Sequence, residues 1–259
     1  MALSSSETSD LRVAKALLEN PGLAAKISNL VGTPIEKGFK MLPESWNGFV
    51  TDATRKSIEK ALDIALLTMD REGREQPSNW WHKLAVAATG ATGGAFGLPA
   101  LAIELPVSTT IILRSIADIA RSEGEDLRLP DARLQCLQVL ALGGKSKSDD
   151  GTETGYFAAR TALAMAVSEA ATHLAQKGMS QSGAPAIVRL ITLVASRFSI
   201  VVSEKAAVQA VPVVGAFSGA AINTLFIDHF QNMGRGHFIV RRLERLHGQE
   251  EIRRLYEEL

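Results

Sequence analysis

The chain has 259 residues, 28 of them basic and 28 acidic, so its formal net charge is zero, and an apolar share of 46% is enough to bury a core. Zero net charge argues against bulk nucleic-acid binding, which needs a phosphate-neutralising surplus. A single cysteine, Cys136, rules out an internal disulfide and fits a reducing compartment, and the start MALSSSETSDLRVAK lacks an apolar stretch of secretory type, so a cytoplasmic location is expected.

The Ser-rich residues 1–9 read as a disordered N-terminus and residues 10–259 as one domain. Leu11, Ala14 and Leu18 open a short helix that Asn20-Pro21-Gly22 stops, and Leu23, Ile27 and Leu30 make another. Thr33-Pro34-Ile35-Glu36 has the form of a capping box, and Pro43 closes the helix it begins. Thr51 or Asp52 caps the next helix, whose apolar face is Ile58, Leu62, Ala65 and Met69; Arg71 to Ser78 is a polar loop. Trp80 and Trp81 then lead into a charge-free segment of 20 residues, Leu84 to Ile103, where Gly90 and Gly94, and Gly93 and Gly97, stand four apart on helix faces.

Glu104 ends that segment and Pro106 starts a helix with Val107, Ile111, Ile112, Ile116 and Ile119 inward, which Gly124 stops. Further helices run over Pro130 to Leu142, Tyr156 to Lys177 and Ala186 to Val202, separated by a polar loop at 143–155 and a turn at 178–185. The GGKS in the first loop is no phosphate loop: its first glycine would fall at Val139, and a helix precedes it. A second charge-free run, of 22 residues, lies between Lys205 and Asp228. It holds Gly215 and Gly219 on one face with Asn223 a turn beyond. Both runs are long enough to cross a bilayer, which needs ~20 residues, yet both are rich in Ala, Gly and polar interruptions, which favours burial in a core. After Gly234-Arg235-Gly236 the pattern turns basic: Arg235, Arg241, Arg242 and Arg245 surround an Ile239, Leu243, Leu246 stripe, against one Glu244, and Gly248 ends the helix. Alternation of strand type is nearly missing. The fold expected is all-α: a single helical domain with two central Gly-rich apolar helices or helical hairpins.

Few residues point to chemistry. Glu104 is the one acid in a long apolar context, where a raised pKa or a buried partner such as Arg114, Arg189 or Arg197 is expected. Asp228 and His229 are sequence neighbours, about 100° apart on a helix, and cannot pair there; Asp228 can reach Asn232 or Arg235. No HExxH, CxxC pair, calcium loop or GxSxG elbow occurs, so no metal and no cofactor is expected.

The stretch VPVVGAFSGAAIN, followed by the Asp228-His229-Phe230 and Gly236-His237-Phe238-Ile239-Val240-Arg241-Arg242 runs, resembles the C-terminal signature of the EcsC family, and ATGGAFGLPALAIELP resembles that family's glycine-rich central motif. The resemblance covers roughly residues 30–259. That motif closes here on Glu104, Leu105 and Pro106, with Glu where Asp is commoner. The family takes its name from a gene beside an ABC transporter, and the resemblance implies no catalytic mechanism. Three functions remain. The leading one is a non-enzymatic accessory or interaction protein, peripheral on the cytoplasmic membrane or on a transporter-linked membrane complex. In it, Arg235, Arg241, Arg242 and Arg245 meet anionic lipid or a partner, while Gly94, Gly97, Gly215, Gly219, Asn223 and Asp228 are structural or functional candidates, the glycines for close helix packing, Asn223 for a structural hydrogen bond or a polar ligand contact and Asp228 for a surface ion pair. The alternatives are a hydrolase using Glu104 with His229 or His237 between the two Gly-rich segments, and a soluble helical module that binds an apolar ligand.

Overall fold

The computed structural model describes residues 3–19, 23, 25–26, 35–68, 97–143, 155–177, 184–210 and 212–259, without the side chains at 63–68, 97–100 and 212–221. The described residues hold nine helices and no strand: α1 (Ser5–Leu18), α2 (Ile35–Phe39), α3 (Trp46–Thr68), α4 (Gly97–Ser122), α5 (Pro130–Leu142), α6 (Gly155–Lys177), α7 (Pro185–Gln209), α8 (Pro212–His247) and α9 (Gln249–Glu258). They form the single all-α domain that the periodicity predicts. Gly94 and the Thr33 capping box lie outside the described residues, as do the tryptophan pair and most of the first charge-free run.

Several helix ends differ from expectation for local reasons. Residues 5–9 are helical rather than disordered. Ser4 accepts the Glu7 amide and Glu7 returns a bond to the Ser4 amide, which closes a capping box on α1. α3 begins at Trp46, and Thr51 is no cap: its hydroxyl bonds back to the Asn47 carbonyl. α4 begins before Glu104 and runs through Pro106. Proline cannot bond the carbonyl four residues back, but that residue, Ala102, is solvent-exposed, so water is at hand for the freed group. Gly124 (φ +81°) stops α4 as predicted, with the Glu125 amide reaching back to the Ala120 carbonyl.

The second Gly-rich run from Pro212 onward and the basic stretch are one 36-residue helix, α8, rather than two joined elements, while the run's first residues, 206–209, end α7. Gly234 and Gly236 do not break it; they let neighbours close in. A Cβ on Gly236 would stand 2.7 Å from Leu18 Cγ and 3.0 Å from the Ala14 carbonyl oxygen, so α1 lies hard against α8 there. Gly215 and Gly219 lie in the first part of α8, where side chains are not described.

α7 is the one helix among the described residues long and apolar enough to cross a membrane by length and composition. It packs against α2, α3, α5, α6 and α8, and its exposed positions include Arg189, Thr192 and Ser196. That is the pattern of a core helix. Phe198 from α7 meets Phe226 and Phe230 from α8 in an edge-on and tilted aromatic cluster at the centre of the core. A second, smaller cluster ties α1, α6 and α9 to α8 through Leu11, Tyr156, Leu243, Ile252 and Tyr256.

Candidate functional site

Glu104, the one acid in a long apolar context, is ion-paired. Its Oε1 lies 2.5 Å from Lys205 Nζ, a side chain with no solvent exposure, and Nζ also stands 4.5 Å from the centroid of the Phe226 ring. Arg114, Arg189 and Arg197 do not fill this role; Arg189 makes a surface pair with Glu169 instead. Lys205 closes the charge-free run from the other end, and its position in an apolar setting was the signal available for it. Burial pushes the Lys205 pKa down, and the neighbouring Glu104 opposes that. The pair therefore reads as a structural lock between α4, α7 and α8.

The two histidines proposed to act with Glu104 have other partners. His229 is 3% exposed, and its Nε2 lies 3.1 Å from the Gly143 carbonyl. Nε2 therefore carries the proton, and burial lowers the pKa to about 4. His237, wholly buried, has both ring nitrogens engaged: Nδ1 lies 3.0 Å from the Tyr156 hydroxyl and Nε2 3.2 Å from Gln135 Oε1. Glu104, His229 and His237 thus belong to three separate hydrogen-bond sets, and the structure does not join them as an acid–base pair. Asp228 is exposed and Asn223 half-buried, with its Oδ1 unpartnered.

The basic half of α8 departs furthest from expectation. Arg235 and Arg245 are exposed and Arg241 and Arg242 half-buried, but Arg241, Arg242 and Arg245 are all engaged by groups of the same chain. Arg241 pairs with Glu125 at 2.8 Å and Asp131 at 3.2 Å. Arg245 pairs with the same Glu125 and donates to the Glu123 carbonyl at 2.6 Å. Arg242 reaches Asp10 on α1 at 2.7 Å and lies 3.3 Å from Glu123. Glu125, 6% exposed in its side chain, sits at the centre. These pairs fasten α1, the 123–131 turn and α5 to α8. Acids 110 or more residues away in sequence supply them, which is why the local excess of arginine looked like a free basic patch.

Beside that clamp lies the most site-like feature of the described residues, a groove of about 680 Å³ bounded by α5, α6, α8 and α9. A hydrogen-bond chain runs behind it, with Arg160, Gln135 and Asp131 in the lining and Tyr156 and His237 buried beneath. Arg160 makes a two-pronged pair with Glu244, at 2.7 and 2.9 Å, and donates to the Tyr156 hydroxyl at 3.2 Å. Arginine can only donate, so the tyrosine accepts from it and gives its own proton to His237 Nδ1. His237 must then carry its proton on Nε2 and donate to Gln135 Oε1, and the Gln135 amide closes weakly on Asp131 at 3.5 Å. From the Arg160 Nη groups to His237 Nε2, each bond of this path has a donor and an acceptor with His237 neutral. That agrees with a His237 pKa held well below the ordinary value by burial, with Arg160 and Arg241 adding to the effect. Sequence reading missed Tyr156, Arg160, Gln135 and Gln138. The available signal was the pair of amides Gln135 and Gln138, one turn apart in the otherwise apolar stretch Leu134 to Leu142 of α5. Among the described residues no group of three His, Cys, Asp or Glu could hold a metal ion.

Comparison with known proteins gives one family. The model of the EcsC protein family matches residues 11–243. No curated protein and no solved structure matches the chain.

Proposed function

Since the chain belongs to the EcsC protein family, whose pattern spans the helices just described, we propose that it is a non-enzymatic accessory protein that docks peripherally on the cytoplasmic membrane or on a membrane complex. The observation that carries this reading is Ile103, 71% exposed on α4 one residue before Glu104. A large apolar side chain left in water costs ~1.5–3 kcal/mol relative to burial, which a docking surface would recover. Ile103 is not isolated. Glu104 fastens that part of α4 to Lys205, while α2 meets α7 two residues further on, where Gly38 packs against the Ala207 carbonyl. Met41, just after α2, is 51% exposed. Two exposed apolar side chains from different parts of the chain thus flank the same end of α7. The contact surface assigned from sequence to the arginines of α8 moves to this end of the bundle, because three of those arginines are engaged by internal acids.

The experiment is flotation with phosphatidylglycerol vesicles, comparing wild type with Met41→Gln/Ile103→Gln. Wild type floats and the double variant, at unchanged melting temperature, stays behind. Equal flotation of the two would overturn the assignment of the surface, and a wild type that never floats would overturn membrane docking.

A further inference from the structure

The groove beside α6 carries an inference independent of the docking end. Its lining is rich in donors. Arg160, Arg241, Arg245 and Arg253 line it with Asp131, Glu244 and Glu250, while Glu125 and Glu257 pair with these arginines from behind the lining. Glu125 and Asp131 engage only Nε and Nη2 of Arg241, and Glu244 and Tyr156 engage only the two Nη groups of Arg160. Arg241 Nη1 and Arg160 Nε therefore have no acceptor among the described residues. Thr161, Ser168 and Thr172 line the α6 wall at i, i+7 and i+11, one helix face about 16 Å long, and add hydroxyls.

Gln138 is the telling residue. It is 3% exposed, it lines the groove, and it has no hydrogen-bond partner among the described residues. Its amide atoms are not sealed from the groove, and the neighbour Gln135 is engaged by His237 and Asp131. An amide that bonds nothing within the protein and opens on a groove with spare arginine donors is placed to bond a ligand there. The volume lies within the ~300–1,000 Å³ of small-molecule sites.

We propose that this groove binds the phosphate ester of a small polyol. The phosphate takes the spare donors of Arg160 and Arg241 and the Gln138 amide N–H. The polyol hydroxyls bond Gln138 Oε1, Glu250 and the threonine and serine hydroxyls of α6. Arg160 is preorganised to receive the phosphate, because Glu244 fixes its plane, and its guanidinium carbon lies 5.4 Å from the Tyr156 ring centroid and 5.7 Å from that of Phe157. Such an ester exists both as a free metabolite and as a lipid headgroup, and the chemistry at the groove is the same for the two.

The test uses Gln138→Leu, a replacement of similar shape that removes an unpartnered amide and so leaves the melting temperature unchanged or higher. Glycerol 3-phosphate is titrated calorimetrically in one arm, with glycerol as control, and flotation on phosphatidylglycerol against phosphatidylcholine vesicles is the other. Wild type binds in at least one arm, and Gln138→Leu weakens that binding about tenfold or more. Sensitivity to Gln138 in the calorimeter identifies a free ester, and sensitivity confined to vesicles identifies a headgroup. No binding by wild type in either arm, or binding that Gln138→Leu leaves intact, overturns the proposal. Flotation that ignores Gln138 but needs Met41 and Ile103 would do so while leaving the docking function standing.

Discussion

Lys205 Nζ lies 2.5 Å from Glu104 Oε1, which joins two helices 101 residues apart through a lysine that has no contact with solvent. The partners are unequally placed: the Glu104 side chain keeps 13% exposure and Lys205 none. Loss of the acid is therefore worse than loss of the base. Glu104→Gln leaves a buried ammonium uncompensated and should cost about 3–5 kcal/mol in urea unfolding. Lys205→Met, which leaves a carboxylate in reach of water, should cost less, and the double variant should recover part of the loss. The pH dependence follows from the direction of the shift. A lysine with a depressed folded pKa binds fewer protons folded than unfolded, so stability rises with pH up to the ordinary lysine value. The deficit of Glu104→Gln should shrink as pH rises toward ~10, the ordinary lysine value. A deficit independent of pH would show that the pair is not what Glu104 contributes.

The histidines predict acid sensitivity. Both His229 and His237 are neutral when folded, with pKa values lowered by burial, and both bind a proton on unfolding below about pH 6.5. The unfolded chain then holds more protons, so stability falls as pH falls. Each histidine contributes up to about 1.4 kcal/mol per pH unit between its unfolded and folded values, a window that for His229 runs from 6.5 to about 4. In His229→Gln/His237→Gln the overall stability is lower, but the slope between about pH 6 and pH 4.5 should flatten by close to two protons. An unchanged slope would mean that neither histidine is neutral in the fold.

Two glycines should respond to alanine in opposite directions. Gly236 meets Leu18 and the Ala14 carbonyl, and backbone cannot step aside, so Gly236→Ala should lose about 1–3 kcal/mol despite better helix propensity. Gly48, in the first turn of α3, has nothing within 4 Å of a built Cβ, and Gly48→Ala should gain up to about 1 kcal/mol. Equal effects at the two sites, read by thermal melting, would remove the argument that α1 and α8 touch through Gly236.

What the sequence made legible follows the range of the physics behind it. The boundaries of α5, and the stops at Gly124 and Gly248, rest on proline, glycine and a 3.6-residue period, all local, and they agree with the structure. The start of α1 was legible too, since Ser4 and Glu7 spell a capping box, but the serine content drew the reading toward disorder. Pro106 misled because a proline's effect depends on what surrounds the carbonyl it orphans, which composition does not reveal. The arginines of α8 misled for the same reason on a larger scale: their partners Asp10, Glu123, Glu125 and Asp131 come from other parts of the chain. The Tyr156–His237–Gln135 path was invisible because its members share no motif and meet only through tertiary packing.

Those internal pairs change what removing the arginines should do. Free arginines on a lipid-facing helix would each contribute ~1 kcal/mol of attraction, screened by salt, and their loss would release the protein from vesicles without harming the fold. Arg241 and Arg245 instead converge on Glu125, a carboxylate 6% exposed, and Arg242 ties α1 down through Asp10. Arg241→Gln/Arg242→Gln/Arg245→Gln strands that carboxylate and loosens α1, so the expected result is a fall of several degrees or more in melting temperature, with a cost of about 3 kcal/mol or more. Replacing Glu125 by Gln in the same background should restore part of it. Flotation separates the two pictures: Met41→Gln/Ile103→Gln should lose vesicles and keep its melting temperature, while the arginine triple variant should lose stability first. If the triple variant melts like wild type and merely fails to float at low salt, the arginines face lipid and the docking surface belongs on α8.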